Sequence, residues 1–259
     1  MPITPSARKP LVTLSDAALS FDGERQVLRQ LNLEVAEGEF LSIVGPSGSG
    51  KSTVLRLIAG LLEPTGGSVS RHLERTSLHF GFVFQQPTLL PWRTAIQNLL
   101  LPAELGAEKK DVSIYDAQQM LRRVGLSESD TQKRPSALSG GMQMRLSLAR
   151  ALILRPDVLL LDEPLAAVDD LLRMSLQEEV RRLHEELSLT SVLVTHNLAE
   201  AVFMSDRVVV LSGSPARVTH DVPVKFKELR SSELRSSDEF HRQVDGLTRR
   251  LLGTATSIL

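Results

Sequence analysis

The 259-residue chain contains no cysteine. Disulfides and thiolate metal sites are therefore excluded, and the composition suits a reducing compartment. An excess of one charge is missing too: 30 Lys and Arg stand against 31 Asp and Glu, for a net charge of −1. A chain so balanced has no overall basic field to draw it to nucleic acid, although a sum does not exclude local patches. No apolar run approaches the ~18 residues that cross a bilayer. The opening stretch MPITPSARKPLVTL lacks the apolar core of a secretory signal. If the protein works at a membrane, other chains must do the spanning. What remains, 42% apolar and 24% charged residues, is ordinary globular composition, in a chain long enough to bury a real core.

Short apolar runs predict strands at 11–19 (LVTLSDAAL), 31–35 (LNLEV), 39–45 (EFLSIVG) and 79–84 (HFGFVF). KSTVLRLIAGLL, from Lys51, has helical apolar spacing and stops near EPTGG. Residues 88–137, richer in Leu, Gln, Glu and Lys, read as a mostly helical insertion. The β/α alternation then resumes with a helix from about 139, DVLLLD, a helix over 170–187, TSVLVT, a short helix and RVVVLS. That alternation predicts an α/β fold whose mostly parallel sheet is covered on both faces. In the 170–187 helix, Leu172, Leu176, Val180, Leu183 and Leu187 share one face, and Glu178, Glu179, Arg181, Arg182, Glu185 and Glu186 predict a solvated remainder. In the polar tail, Phe240, Val244, Leu247 and Leu251 predict a small docking helix.

The stretch Gly45-Pro46-Ser47-Gly48-Ser49-Gly50-Lys51-Ser52-Thr53 matches the phosphate-loop pattern G-x-x-x-x-G-K-[ST] and lies between a strand and a helix. The glycines let backbone N–H groups turn inward around phosphates, and the helix N-terminus adds positive potential. Lys51 would reach the β- and γ-phosphates, and the Ser52 hydroxyl would ligate Mg²⁺. The run Val158 to Glu163, VLLLDE, delivers two carboxylates to a strand end, where such sheets bind ligands. Asp162 would hold the metal's shell, and Glu163 could activate water as a general base. His196 ends VLVTH, and Asn197 and Glu200 have capping-box spacing that would fix where it points. Gln85 follows GFVF and could ligate Mg²⁺ or position water. A second Ser-Gly-Gly step, Ser139-Gly140-Gly141, opens another helix. By itself it suits either a phosphate or a plain N-cap.

Taken in order, these residues resemble the ATP-binding subunits of ABC transporters over roughly residues 12–222. The resemblance includes the phosphate loop, Gln85 of the Q-loop, LSGG at 138–141, Asp162 and Glu163, Asp169 of the D-loop and His196 of the switch. It implies a P-loop NTPase (RecA-like) ATPase core with an N-terminal antiparallel β subdomain and an inserted α-helical subdomain. The expected division is 1–87 and 151–222 for the two parts of the core, 88–150 for the helical subdomain, and 223–259 for a helical tail. The resemblance also implies that two copies pair head to tail, so that Ser139, Gly140 and Gly141 of one close over the ATP held by the other. Phe21 falls where the family places an aromatic ring against adenine. The chain departs from the family's pattern at Met142, where many members have Gln, at Asn197, a frequent Asp, and in LAAVDD, a loose D-loop. None of these removes a catalytic group, so an active ATPase is expected.

The segment QPTLLPWRTAIQNL, with the only tryptophan, and EAVFMSDRVVVLSGSPARV at 200–218 resemble the nitrate/sulfonate/taurine importer subfamily, which includes bicarbonate and thiamine-precursor transporters. The implied partners are a second copy, membrane permease chains and, through them, an extracytoplasmic solute-binding protein. The implied location is the cytoplasmic face of the inner membrane. The rival is an ABC ATPase acting on DNA or ribosomes, but the chain has no long coiled-coil insertion, no second nucleotide domain and no basic excess. A non-catalytic ATP-binding subunit is disfavoured by the intact Glu163 and His196.

Overall fold

The computed structural model describes residues 8–21, 25–72, 78–106, 112–166, 168–226 and 230–256. The first half of the opening stretch, up to residue 7, and Ala167 of the D-loop lie outside them. The chain divides into two compact units, Met1–Leu78 with Arg181–Leu259, and His79–Val180.

In the first unit, strands β1 (Pro10–Phe21) and β2 (Arg25–Ala36) form a long antiparallel pair, and β4 (Gly66–Arg71) lies antiparallel along β1. Strands β3 (Phe40–Val44), β7 (Thr190–Thr195) and β8 (Arg207–Gly213) form a parallel group with β3 in the middle. Strand β9 (Ala216–Pro223) returns antiparallel to β8 and meets β2 at Leu28 and Ala216. The order across this unit is β4-β1-β2-β9-β8-β3-β7. FLSIV and TSVLVT are buried at every position, as runs covered on both faces must be. The sequence signal missed β4 and β9. GGSVSR has a single apolar side chain, and ARVTHDVP is half polar, with Thr-His-Asp at its centre. Pairing with a neighbour, not a pattern of their own, makes them strands.

Helix α1 (Lys51–Ala59) ends at Gly60, whose φ of 73° only glycine adopts without strain. The Arg71 guanidinium donates to the carbonyls of Leu57 (2.7 Å) and Ile58 (3.0 Å), placing positive charge at that helix's negative end. Helix α6 (Leu198–Met204) is closed by Arg230, which donates to the carbonyls of Val202 and Phe203, both at 2.7 Å. Arg235 lies 3.4 Å from the centroid of the Phe203 ring. These contacts anchor the segment leading into the tail helix α7 (Asp238–Thr256), where Phe240 and Leu247 are buried as their spacing predicts. At the base of the sheet, Arg207 joins Glu39 (2.6 Å) and Asp221 (2.7 Å), tying β8 to the start of β3 and to β9.

In the second unit, β5 (Phe80–Val83) and β6 (Val158–Asp162) run parallel. Helices α2 (Ala95–Leu105), α3 (Ile114–Arg123) and α4 (Gly140–Leu152) lie between β5 and β6 in the chain. Helix α5 (Asp170–Glu186) starts in this unit and ends in the first. Leu176, Val180 and Leu183 are buried as expected, but the opposite side is not simply solvated. Glu179 is only 10% exposed and faces Arg145 at 3.1 Å. Arg181, 12% exposed, holds Asp206 at 3.1 Å and Glu185 at 2.8 Å. Periodicity shows which face is apolar; it does not show that long charged side chains on the flank fold over to find partners.

His184, near the end of α5, is buried against the Phe40 ring (centroids 5.0 Å apart), with Nδ1 3.0 Å from the Ser191 hydroxyl. Burial, and then the positive charge of Arg181, hold its pKa down at about 4 from 6.5. Between those values the unfolded chain binds a proton that the folded chain does not, so stability falls as the pH drops through this window, by about 3 kcal/mol in all. Thermal melts from pH 7 to pH 4.5 are expected to show a falling Tm, with a shallower fall in His184→Gln. An equally steep fall in that variant would contradict the assignment.

Candidate nucleotide site

The loop between β3 and α1 is shaped by what its glycines must avoid. Gly45 is buried, and a β-carbon there would stand 2.4 Å from the Leu211 carbonyl oxygen. Gly48 and Gly50 have φ of 76° and 80°, the left-handed region that favours glycine. A β-carbon on Gly50 would also meet Leu28 Cδ2 at 2.9 Å. No side chain caps α1, whose N-cap is Gly50. The Lys51 side chain folds into the same loop, its Nζ donating to the carbonyls of Gly45 and Pro46, both at 3.0 Å. Ser49 Oγ is buried with no hydrogen-bond partner among the described residues. A helix start without a side-chain cap, the Lys51 ammonium and the unsatisfied Ser49 hydroxyl in one loop suit a phosphate chain.

Strand register places the other candidates. Val44 pairs with Thr195, so His196 emerges beside Gly45, and it is exposed there. Its turn is fixed by Thr195, whose hydroxyl accepts from Asn197 N (3.0 Å) and donates to the Glu200 carboxylate. Asn197 caps α6 by accepting from Glu200 N at 3.1 Å. Ser52 and Thr53 sit in the first turn of α1, and Pro46 and Ser47 are exposed at the loop's crest. Phe21, the last residue of β1, is 41% exposed and so is not a core side chain.

In the second unit, Val83 pairs with Leu161, so Gln85 and the Asp162-Glu163 step leave the ends of adjacent parallel strands. Glu163 has φ 47°, a strained conformation for a residue with a β-carbon. Strand β6 ends at Asp162, and Glu163 lies just beyond it. Ser139 caps α4, accepting from Met142 N at 3.3 Å. Gly141 is required by packing: a β-carbon there would stand 2.5 Å from Leu172 Cδ2. Gly140 is exposed and has nothing within 4 Å of a β-carbon position. Asp169 Oδ1 accepts from Leu172 N at 3.0 Å and so caps α5.

Two residues that organise this unit escaped the sequence reading. The Arg150 guanidinium donates to Pro87 O, Thr88 O and Thr88 Oγ1, each at 2.9 Å, fixing the segment after Gln85 to the far end of the Ser139 helix. Asn98, fully buried, accepts from Leu90 N and donates to the carbonyls of Leu90, Arg93 and Thr94. It thereby ties down the loop that carries Trp92. Their partners are mainly backbone groups, which leave no mark in the pattern of residue types.

Residues 28–166 match the family model for ABC transporters. Over 198 residues, 76% of this chain and 81% of the relative, the sequence is 45% identical to the aliphatic sulfonates import ATP-binding protein SsuB 2 of Pseudomonas syringae pv. tomato. It is 42% identical over 207 residues to the bicarbonate transport ATP-binding protein CmpC of Synechocystis, of which it spans 30%. Among solved structures, the dimeric post-hydrolysis state of the ATP-binding cassette MJ0796, bound to ADP and Pi, aligns with a TM-score of 0.69 at 32% identity, covering 83% of this chain and 99% of that one. The chain belongs to the ABC transporter family and has its ATPase cassette fold, which binds and hydrolyses ATP.

Two glycine substitutions separate packing from function. Gly45→Ala sets a β-carbon against backbone that cannot move aside, and is expected to cost about 2 kcal/mol and several degrees of Tm. Gly140→Ala should leave the Tm within about a degree of wild type. Calorimetry that ranked the two the other way would contradict the geometry.

Proposed function

We propose that this chain is the ATP-hydrolysing subunit of an importer for a small solute of the nitrate, sulfonate or taurine kind. It works as a head-to-tail pair of copies beneath separate permease chains, on the cytoplasmic face of the inner membrane, and is served indirectly by an extracytoplasmic solute-binding protein. The names of the sulfonate and bicarbonate relatives support the solute class. The observation that carries the pairing is Gly140. Its neighbour Gly141 is explained by packing on Leu172, whereas nothing among the described residues crowds a β-carbon at 140. A surface from outside the chain does: backbone of a second copy, with the phosphate it holds, approaching the α4 N-terminus beside Ser139.

In this reading the loop amides and Lys51 grip the phosphate chain of ATP, and the Phe21 ring covers the adenine. Ser52, Asp162 and Gln85 would hold Mg²⁺, which when bound offsets charge on the phosphate oxygens. Glu163 accepts the proton of the attacking water, and His196 steadies the γ-phosphate end of the site. Ser139 and the first amides of α4 donate to the γ-phosphate on the opposite copy, and Asp169 joins the same interface. Loss of the bridging γ-phosphate removes those bonds and lets the copies part. The permease is met by the helical insertion, where Trp92 is 67% exposed on the loop that Asn98 immobilises.

Glu163→Gln should lower turnover at least a hundredfold and, with ATP and magnesium, elute as a dimer from a sizing column. Near wild-type turnover in that variant would remove the general-base role. Trp92→Ala should keep its Tm and lose most of its co-purification with the permease chains; an unchanged yield of complex would return Trp92 to a local packing role.

A further inference from the structure

Away from the phosphate loop, the first unit holds a cleft of about 960 Å³. Its walls are β2 at Arg29 and Gln30, the β8–β9 turn at residues 212–217, and α7 at residues 249–253. Arg29, Arg217, Arg249 and Arg250 all line it, joined by His220, and among the described residues no carboxylate does. None of the four guanidinium groups has an ion-pair or hydrogen-bond partner among the described residues, and Asp245, one turn before Arg249, does not pair with it. The better-buried arginines of the same unit are treated differently: Arg71, Arg181, Arg207 and Arg230 each hold a carboxylate or a carbonyl. Gathering four guanidinium groups around one cleft in a chain of net charge −1 costs mutual repulsion that a bound anion relieves. Each guanidinium offers a planar fork of donors matched to two oxygens of a phosphate or sulfonate. The Ser212, Ser214 and Thr219 hydroxyls on the same walls add neutral donors.

We propose that this cleft binds a small organic anion bearing two or more phosphate or sulfonate groups, and that its occupancy weakens ATP binding. The coupling follows from what the walls are made of. Leu28, beside Arg29 on β2, is the side chain packed against Gly50. The Leu211 carbonyl, beside Ser212 on β8, is the group packed against Gly45. The two segments that line the cleft are thus the two that shape the phosphate loop. An anion held between them cancels positive charge that otherwise attracts the nucleotide's phosphates. By reciprocity, ATP lowers the affinity of the cleft for its anion by the same factor.

The test uses two probes, 1,2-ethanedisulfonate and inorganic pyrophosphate, titrated calorimetrically into the full chain, the double variant Arg249→Gln/Arg250→Gln and Lys51→Ala. At least one probe should bind the wild type and Lys51→Ala alike and bind the double variant at least tenfold more weakly. The probe that binds distinguishes a sulfonate from a phosphate ligand. The same probe should raise the KM for ATP in the wild type and leave it unchanged in the double variant, whose melting curve confirms its fold. Absence of binding by both probes overturns the proposal. So does binding that survives in the double variant or is lost in Lys51→Ala, which would place the anion on the phosphate loop.

Discussion

No β-carbon fits at position 45. The Leu211 carbonyl occupies that space, and from this one constraint the nucleotide loop takes its form. Held close against β8, the chain must turn through Gly48 and Gly50 in left-handed conformations before α1 can begin. A helix entered through glycine has no capping side chain, and none caps α1. The Lys51 ammonium folds onto the loop's own carbonyls, which keeps a buried charge satisfied. The price of this arrangement is a loop of little intrinsic stability, held by the sheet beneath it. That sheet is correspondingly overdetermined, with β3 buried at every residue and Arg207 clamped between two carboxylates at its base.

Much of the molecule was legible in the sequence. The apolar runs of β3, β6, β7 and β8 announced themselves, as did the phosphate loop and the docking face of α7. These features depend on residue type at fixed spacing, which is what a sequence displays. Strands β4 and β9 were not legible, because their neighbours impose their pairing. Arg150 and Asn98 were not legible either. Each acts on backbone carbonyls, and Arg150 reaches back 62 residues to do so. The positive φ of Glu163 had no signature at all, since nothing in LLLDE marks the turn.

The two glycines after Ser139 show how geometry can divide a motif that sequence leaves whole. In the sequence they are equivalent. In the structure Gly141 answers to Leu172, and Gly140 answers to nothing among the described residues of its own chain. A residue type that its own fold does not require points outward, to a ligand or to another copy. The same logic applies to the four arginines around the β8–β9 turn, whose charges the described fold leaves without partners.

The chain's lack of cysteine makes the pairing of copies directly measurable. Ser47→Cys and Ser139→Cys, introduced together, would be the only thiols present. If two copies close antiparallel on ATP, mild oxidation with ATP and magnesium yields a covalent dimer linked 47 to 139, and its yield collapses without nucleotide. A chain that stayed monomeric under oxidation while binding ATP normally would contradict the pairing on which the proposed mechanism rests.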